Sequence, residues 1–294
     1  MEFNRAISQQ FIINPPEEEF HSEPCLAWQP DDTITGLPSS SRFNTLVNAV
    51  LQLICALPEL NQELPLDSPS PLVRLFSSTV YDLHLGSVRT ELTEELQKEC
   101  VNRDVNGVLS FVLETILLTT RFGHRFNLEP VHQIRGCIFL NMESLTVKNT
   151  TLIALLNNLF GMPSLFFGGT PLPSLAEPFT KITCLPHFLI VLFYRGKPEN
   201  LNTTSVELPM EMDMGKYLAE NAQKPSKSHF YKGSATFYRL HGFLTQKDLN
   251  FMTYTRLRSG KKWFRAQDKQ VDQVDLGHRI ESQGLAVAIY RLQD

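Results

Sequence analysis

The hydrophobic period of the sequence changes near the middle of the chain. In the first half, apolar residues recur at helical spacing, as in the segment 45–57. In the second half they form short runs rich in β-branched and aromatic residues. The run Phe188–Tyr194 is continuously apolar, which is typical of a strand covered on both faces. Helices followed by mostly antiparallel strands predict an α+β domain.

The pattern predicts where the individual elements lie. Asn44 or Thr45 is the expected cap of the first helix. Helices are predicted over residues 45–57, 72–84, 90–100, 105–119 and 151–160. Strands are predicted over residues 134–140, 188–194, 206–208, 230–244, 253–257, 263–264 and 286–292. Residues 1–32 show little periodicity, so we predict a partly ordered arm before a single domain over residues 33–294.

The composition indicates an ordinary globular protein. The 294 residues are 42% hydrophobic and 20% charged, which is enough to bury a sizeable core. The net charge of -4 gives no global attraction to nucleic acid or lipid, so any RNA contact must be local. The five cysteines are scattered and form no CxxC pair, and no secretory leader or membrane-length apolar run is seen. We therefore expect no membrane association and a reducing compartment, nuclear or cytoplasmic.

The segment Gly36–Leu53 carries the most distinctive pattern, GLPSSSRFNTLVNAVLQL. It resembles the opening motif of the ubiquitin-specific proteases (peptidase C19), G-L-x-N-x-G-N-T-C-Y-x-N-A-x-L-Q, in which the Cys heads a helix. Asn48–Gln52 matches the helical half of that motif. Counting back from it places Thr45 at the Cys position, and sliding the gap places Leu46 there. Neither register supplies a thiol, whereas a cysteine protease needs a thiolate activated by a nearby base.

Three later segments extend this resemblance in the family's order. Asp104–Leu109 resembles the Q-D-A-x-E-F-L segment, and Leu185–Arg195 resembles the L-P-x-x-L-x-x-x-L-K-R-F strand. Residues 241–292 resemble the C-terminal histidine block. The resemblance implies the family's papain-like cysteine peptidase fold, an α+β domain with a helical half and an antiparallel sheet half.

The catalytic positions of the histidine block are also changed. By the same resemblance, the general base maps to Asn250, and the residue that orients the base maps to Gln267 or Asp268. With Thr45 at the nucleophile position, these residues describe a degenerate site. The resemblance therefore predicts a protein that is not an enzyme.

One branch of the family resembles this chain more closely than the rest. Lys262–Val271 resembles its K-W-Y-x-x-Q-D-x-Q-V block, and Leu109–Leu113 resembles its L-S-W-F-L helix. This is the catalytically silent branch of the spliceosomal tri-snRNP. It implies a non-catalytic scaffold in pre-mRNA splicing, with spliceosomal protein partners and a nuclear location. That branch normally carries an N-terminal zinc-finger module, for which this chain has neither the length nor the ligands.

Two other functions stay open at this point. The first is a ubiquitin-binding pseudoenzyme whose cleft still holds a ubiquitin tail. The second is an unconventional deubiquitinating peptidase built around Thr45, Cys55 and His241. The simpler interpretation makes Thr45 a helix-capping hydroxyl, Cys55 a core residue, and His241 a surface or packing residue. Asn250 cannot accept a proton, which weakens the case for a hydroxyl nucleophile.

No metal or cofactor is predicted. Many family members hold a structural zinc through two CxxC pairs in a fingers subdomain, because tetrahedral zinc needs clustered thiolates. Residues 130–184 offer only His132, Cys137 and Cys184. We expect reduced, metal-free fingers.

Two further clusters have both a structural and a functional interpretation. The basic cluster, which comprises Arg256, Arg258, Lys261, Lys262 and Arg265, is either a solvated face or a docking patch for RNA phosphate or an acidic protein. The methionine cluster, which comprises Met210, Met212 and Met214, is either ordinary packing or an adaptable protein contact.

Overall fold

The computed structural model describes most of the chain from residue 36 onward. The described residues are 36–37, 42–57, 70–84, 91–100, 103, 105–112, 137–161, 182–196, 200–223, 236–247, 250–256, 262–277 and 280–293. The arm predicted over residues 1–32 lies outside them. So do residues 113–136, which include the end of the predicted fourth helix. Among the described residues, no helix combines the length and hydropathy needed to cross a membrane.

Five α-helices are described. They are α1 (Arg42–Cys55), α2 (Pro71–His84), α3 (Glu91–Cys100), α4 (Val105–Val112) and α5 (Leu152–Leu159). Local chemistry explains two of their starts. The hydroxyl of Ser70 accepts from the Val73 N–H at 3.4 Å and precedes Pro71, whose ring suits the first helical position. The hydroxyl of Thr151 accepts from the Ala154 N–H at 3.1 Å.

The described strands are β1 (Cys137–Asn141), β2 (Asn149–Thr151), β3 (Ile182–Cys184), β4 (Phe188–Tyr194), β5 (Ser205–Leu208), β6 (Glu211–Asp213), β7 (Leu218–Gln223), β8 (Phe237–Lys247), β9 (Asn250–Arg256), β10 (Trp263–Gln267), β11 (Gln270–Val274), β12 (Ile280–Ser282) and β13 (Leu285–Leu292). The main sheet has the order β1-β4-β13-β8-β9-β10-β11, and β6 pairs with β8. Two smaller sheets have the orders β12-β5-β2 and β3-β7.

Strand β4 lies at the centre of two hydrophobic cores. Phe188, Ile190 and Leu192 point into the core that the sheet shares with α1 to α4. Leu189 and Val191 point into the opposite core, which includes residues of α5, β5 and β12. Because successive side chains of a strand alternate between its two faces, the continuous apolar run fills both cores. The prediction of an α+β domain with a strand covered on both faces is confirmed.

Three expectations about the elements need correction. Helix α1 begins at Arg42, so neither Asn44 nor Thr45 is its cap. The sheet half is mixed, because β1 runs parallel to β4, and the pairs β2–β5 and β3–β7 are also parallel. Strands β2, β3, β6, β7, β11 and β12 were not predicted. They are short or polar, and the pairing of each depends on a neighbouring strand rather than on its own apolar period.

Arg195 joins the end of β4 to two distant segments. Its side chain is buried, and its Nε donates to the Leu285 carbonyl at 2.7 Å. Its Nη1 donates to the carbonyls of Asn202 at 2.9 Å and Thr204 at 2.8 Å. Burial lowers the pKa of the Arg195 guanidinium to about 10, so the group stays charged at neutral pH. One charged side chain therefore holds three backbone carbonyls in place.

We expect Arg195→Met to lower the free energy of unfolding by about 3 kcal/mol, because three carbonyls lose a charged donor. Urea denaturation followed by circular dichroism measures the change. The matched control is Arg239→Met, which removes an exposed arginine that pairs with Glu211 at 2.8 Å. This control should lower the free energy of unfolding by less than about 1 kcal/mol, because exposed ion pairs contribute little to stability. Equal losses in the two variants would contradict the role assigned to Arg195.

Candidate functional site

The turn between β10 and β11 is the centre of the candidate site. Gln267 pairs with Gln270, so Asp268 and Lys269 form a two-residue turn. The φ angle of Asp268 is 49°, in the left-handed region that aspartate tolerates better than most residues. This conformation presents both the carboxylate and the backbone carbonyl of Asp268 to helix α1.

Helix α1 meets this turn with three polar side chains on one stripe. The Thr45 hydroxyl donates to Asp268 Oδ2 at 3.2 Å, and Asn48 Nδ2 donates to Asp268 Oδ1 at 3.0 Å. Gln52 Nε2 donates to the Asp268 carbonyl at 3.1 Å. Residues 45, 48 and 52 share one face of a helix, because they are separated by three and four positions. Asn48 and Gln52 are almost completely buried, so these bonds replace water as their partner.

The segment before α1 closes on the same turn. The Leu37 N–H donates to the Asp268 carbonyl at 2.8 Å, and the Leu37 side chain is buried. A Cβ atom at Gly36 would lie 2.2 Å from the carbonyl oxygen of Lys269. The close approach of the two backbones therefore requires glycine. We call Thr45, Asn48, Gln52 and Asp268 the Asp268 lock.

The hydrogen bonds of the Asp268 lock determine which chemistry the site can support. Each carboxylate oxygen of Asp268 accepts from a neutral donor of α1. The group paired with the Thr45 hydroxyl is thus a carboxylate that also holds the Asn48 amide. These contacts bind the helix to the turn, and the acceptor that they give the Thr45 hydroxyl is a carboxylate rather than an imidazole.

The structure brings together some of the predicted site residues and not others. It brings Thr45 to Asp268, and it directs Leu46 into the helical core, where it is 5% exposed. The side chain of Gln267 is half-buried beside the turn. Asn250 begins β9, where it is exposed and pairs with Lys247 of β8. The predicted base position thus lies at an exposed strand end, whereas the lock joins side chains of α1 to the β10–β11 turn.

The alternative constellation of Thr45, Cys55 and His241 is spread along α1. Thr45 and Cys55 are ten residues apart in one helix, which corresponds to roughly 15 Å. Burial raises the pKa of the Cys55 thiol to about 12, which makes it a poor source of thiolate. His241 is buried, and its Nε2 lies 3.1 Å from the Ala56 carbonyl, just beyond the end of the helix. The structure does not assemble these three groups.

The basic cluster is not a continuous exposed patch. Arg256 is 8% exposed, with its guanidinium carbon 4.5 Å from the centroid of the Trp263 ring. Arg265 pairs with Asp272 at 2.7 Å, and this hydrogen bond holds the pKa of the Asp272 carboxyl below its usual value. Lys262 is exposed, while Arg258 and Lys261 lie outside the described residues. The prediction of an exposed docking patch is therefore wrong for Arg256, because its guanidinium is buried against the Trp263 ring.

The other predicted clusters are also placed. Met212 and Met214 are buried in the core, and Met210 is half-buried against it. The prediction of metal-free fingers falls on residues 130–184, of which 130–136 and 162–181 lie outside the described part. It therefore stays a prediction.

Asn48 and Gln52 are site residues that sequence reasoning missed. In the sequence they are noticeable only as parts of a motif. They nevertheless form a polar stripe with Thr45 on a helix that is otherwise apolar from residue 45 onward. Polar residues at helical spacing on a buried helix need hydrogen-bond partners. This requirement could have marked Asn48 and Gln52 as site residues from the sequence, but it does not identify Asp268 as their partner.

Known proteins share this architecture. The family model described as ubiquitin carboxyl-terminal hydrolase matches residues 41–290. A search of curated proteins finds no match. Two similar solved structures are the SAGA Ubp8/Sgf11/Sus1/Sgf73 DUB module and the yeast SAGA DUB module with a mutant Sgf73. The first has a TM-score of 0.60 at 14% identity, covering 90% of this chain and 69% of that chain. The second has a TM-score of 0.61 at 13% identity, covering 90% and 70%.

Substitutions at Asp268 should separate its side chain from its backbone. Asp268→Ala removes both carboxylate acceptors and leaves a Cβ at φ 49° without the short polar side chain that makes this conformation tolerable. We expect a loss of about 3 kcal/mol in unfolding free energy. Asp268→Gly removes the same acceptors, but glycine adopts this φ angle without strain. Its loss of unfolding free energy should therefore be about 1 kcal/mol smaller than that of Asp268→Ala. Urea denaturation measures both. A glycine variant as stable as the wild type would show that the carboxylate bonds contribute nothing.

Proposed function

Because the chain belongs to the ubiquitin carboxyl-terminal hydrolase family, we propose that it is a non-catalytic member that works as a protein-binding scaffold. The observation that carries this proposal is the Asp268 lock. At the position where the family's nucleophile belongs, a threonine hydroxyl donates to a carboxylate that also accepts from Asn48. The position of the general base holds Asn250, whose amide has no proton-accepting nitrogen at neutral pH.

The geometry of α1 supports the same proposal. The family's Cys heads its helix, where free backbone N–H groups are available to a developing oxyanion. Here the helix begins at Arg42, which makes Thr45 the fourth helical residue. In an α-helix, only the N–H groups of the first turn lack an intrahelical acceptor. The free N–H groups therefore precede Thr45 along the chain.

We infer that this scaffold acts in the nucleus, as a splicing factor of the tri-snRNP. The support is the resemblance of Lys262–Val271 to the silent branch of the family. Within this block Trp263 is a buried core residue and Asp268 forms the lock, so the resemblance covers residues that determine the fold of the site. The two solved neighbours are named as assemblies with partner subunits, which is consistent with a scaffold role for this fold.

The unconventional deubiquitinase is the less favoured alternative. It needs a reactive Cys55, whereas burial raises the pKa of this thiol to about 12. It also needs His241 as a base near Thr45, whereas that imidazole lies beside the Ala56 carbonyl. A ubiquitin-binding pseudoenzyme remains a form of the scaffold proposal in which ubiquitin is the partner.

Reconstruction of the catalytic residues should not restore activity. We expect Thr45→Cys with Asn250→His to hydrolyse ubiquitin bearing a C-terminal fluorophore no faster than Thr45→Ser with Asn250→Gln. The Asp268 carboxylate, 3.2 Å from the Thr45 hydroxyl, would raise the pKa of a thiol at position 45 by like-charge repulsion. In parallel, ubiquitin carrying a C-terminal electrophile should not label the wild-type chain. Robust turnover by the double variant, or wild-type labelling lost in Cys55→Ala, would contradict the proposal.

Affinity purification tests the assignment to splicing. We expect the tagged full chain to recover tri-snRNP proteins from nuclear extract, because a scaffold without chemistry acts through stable contacts. An Asp268→Ala chain, whose site is loosened, should recover less of them. Recovery of ubiquitin conjugates without splicing proteins would favour the ubiquitin-binding alternative. Recovery of neither would contradict both.

A further inference from the structure

Arg256 is a buried guanidinium with no ionic partner among the described residues. It is 8% exposed, and the ion pairs of the described part of the chain join other groups. Its Nε is buried and has no hydrogen-bond acceptor. Its Nη2 reaches only the sulfur of Met210, at 3.6 Å, and thioether sulfur is a weak acceptor. A buried charge is normally paired, so an unpaired one indicates that the partner comes from elsewhere.

The nearby charges do not neutralise Arg256. Burial lowers the pKa of Arg256, the positive charge of Arg239 lowers it further, and Glu211 partly offsets this. Glu211 is committed to Arg239, because its Oε1 accepts from Nη2 at 2.8 Å and from Nε at 2.9 Å. An excess of positive charge therefore remains around Arg256.

The surroundings of Arg256 combine a rigid aromatic wall with an adaptable side chain. The guanidinium carbon lies 4.5 Å from the centroid of Trp263. The Trp263 ring packs edge-on against Phe243 at 5.9 Å, and Phe243 stacks on Tyr254 at 4.6 Å. Met210 is unbranched and half-buried, so it can move aside when a better acceptor arrives. We call Arg256, Trp263 and Met210 the Arg256 recess.

An exposed aromatic residue lies on the same strand as Arg239, whose charge acts on Arg256. Phe237 is 44% exposed and precedes Arg239 by two positions in β8. Strand β6 pairs Glu211 with Arg239 and Asp213 with Phe237. Arginine, tryptophan, methionine and phenylalanine are the residue types enriched in the centres of protein interfaces.

We propose that the Arg256 recess receives one carboxylate from an acidic segment of a protein partner. This inference rests on the proposed scaffold function and names a docking position for it. A protein carboxylate fits better than RNA, because RNA binding depends on several free cations, whereas the neighbouring Arg239 is already paired with Glu211. Arg265, the nearest other arginine of the basic cluster among the described residues, is already paired with Asp272.

Nuclear magnetic resonance of the arginine Nε–H groups tests this proposal on the full chain. The Arg256 signal is assigned by its loss in Arg256→Lys. The probes are a capped hexaglutamate peptide, a capped hexaglutamine peptide as matched control, and hexauridylate RNA. We expect the Arg256 signal to shift and saturate with hexaglutamate only. No shift with hexaglutamate, or an equal shift with hexaglutamine, would overturn the proposal. A shift with RNA, alone or beside hexaglutamate, would assign the recess to anions in general and also overturn it.

Arg256→Met separates binding from folding. We expect it to weaken hexaglutamate binding by about 30-fold or more, as loss of a buried charged partner does. Its urea midpoint should stay equal to or above that of the wild type, because an unpaired buried charge is removed. A midpoint as low as that of Arg195→Met would show that the guanidinium serves folding, and the proposal would fail. Neither result depends on the ubiquitin probe, so the inference and the proposed function can fail separately.

Discussion

The bonding of helix α1 to the β10–β11 turn through Asp268 is the interaction on which the rest of the candidate site depends. Asp268 accepts hydrogen bonds from Thr45 and Asn48 through its carboxylate. It accepts two more, from the Gln52 side chain and the Leu37 N–H, through its backbone carbonyl. These partners lie more than two hundred residues from it in the sequence. The lock therefore joins the helical half of the domain to its sheet half.

The lock also gives the polar residues of the site a structural role. A catalytic carboxylate orients a base, whereas this one holds two neutral donors of a buried helix. Removing those donors or the acceptor would leave buried polar groups unsatisfied, which costs more than a hydrogen bond gains. Hydrogen bonding by itself therefore gives Thr45, Asn48 and Asp268 a role in stability.

Two buried guanidiniums of the sheet half, those of Arg195 and Arg256, differ in their hydrogen-bond acceptors. Arg195 donates to three backbone carbonyls through Nε and Nη1, although its Nη2 has no acceptor, so it joins segments of the fold. Arg256 stacks on Trp263 and reaches only a methionine sulfur. Burial lowers the pKa of both groups. The difference in hydrogen bonding gives Arg195 a structural role and leaves Arg256 available to an acceptor from another chain.

The sequence by itself determined the apolar helix α1, strand β4 as a strand buried on both faces, and the lack of a thiol at position 45, since local periodicity and residue identity report these directly. Tertiary structure decided that Asp268 rather than Gln267 meets Thr45, because the left-handed turn directs its carboxylate to α1. It also decided the parallel pairing of β1 and the burial of Arg256. Periodicity shows which side chains are buried, but only strand register and turn geometry decide which distant groups meet.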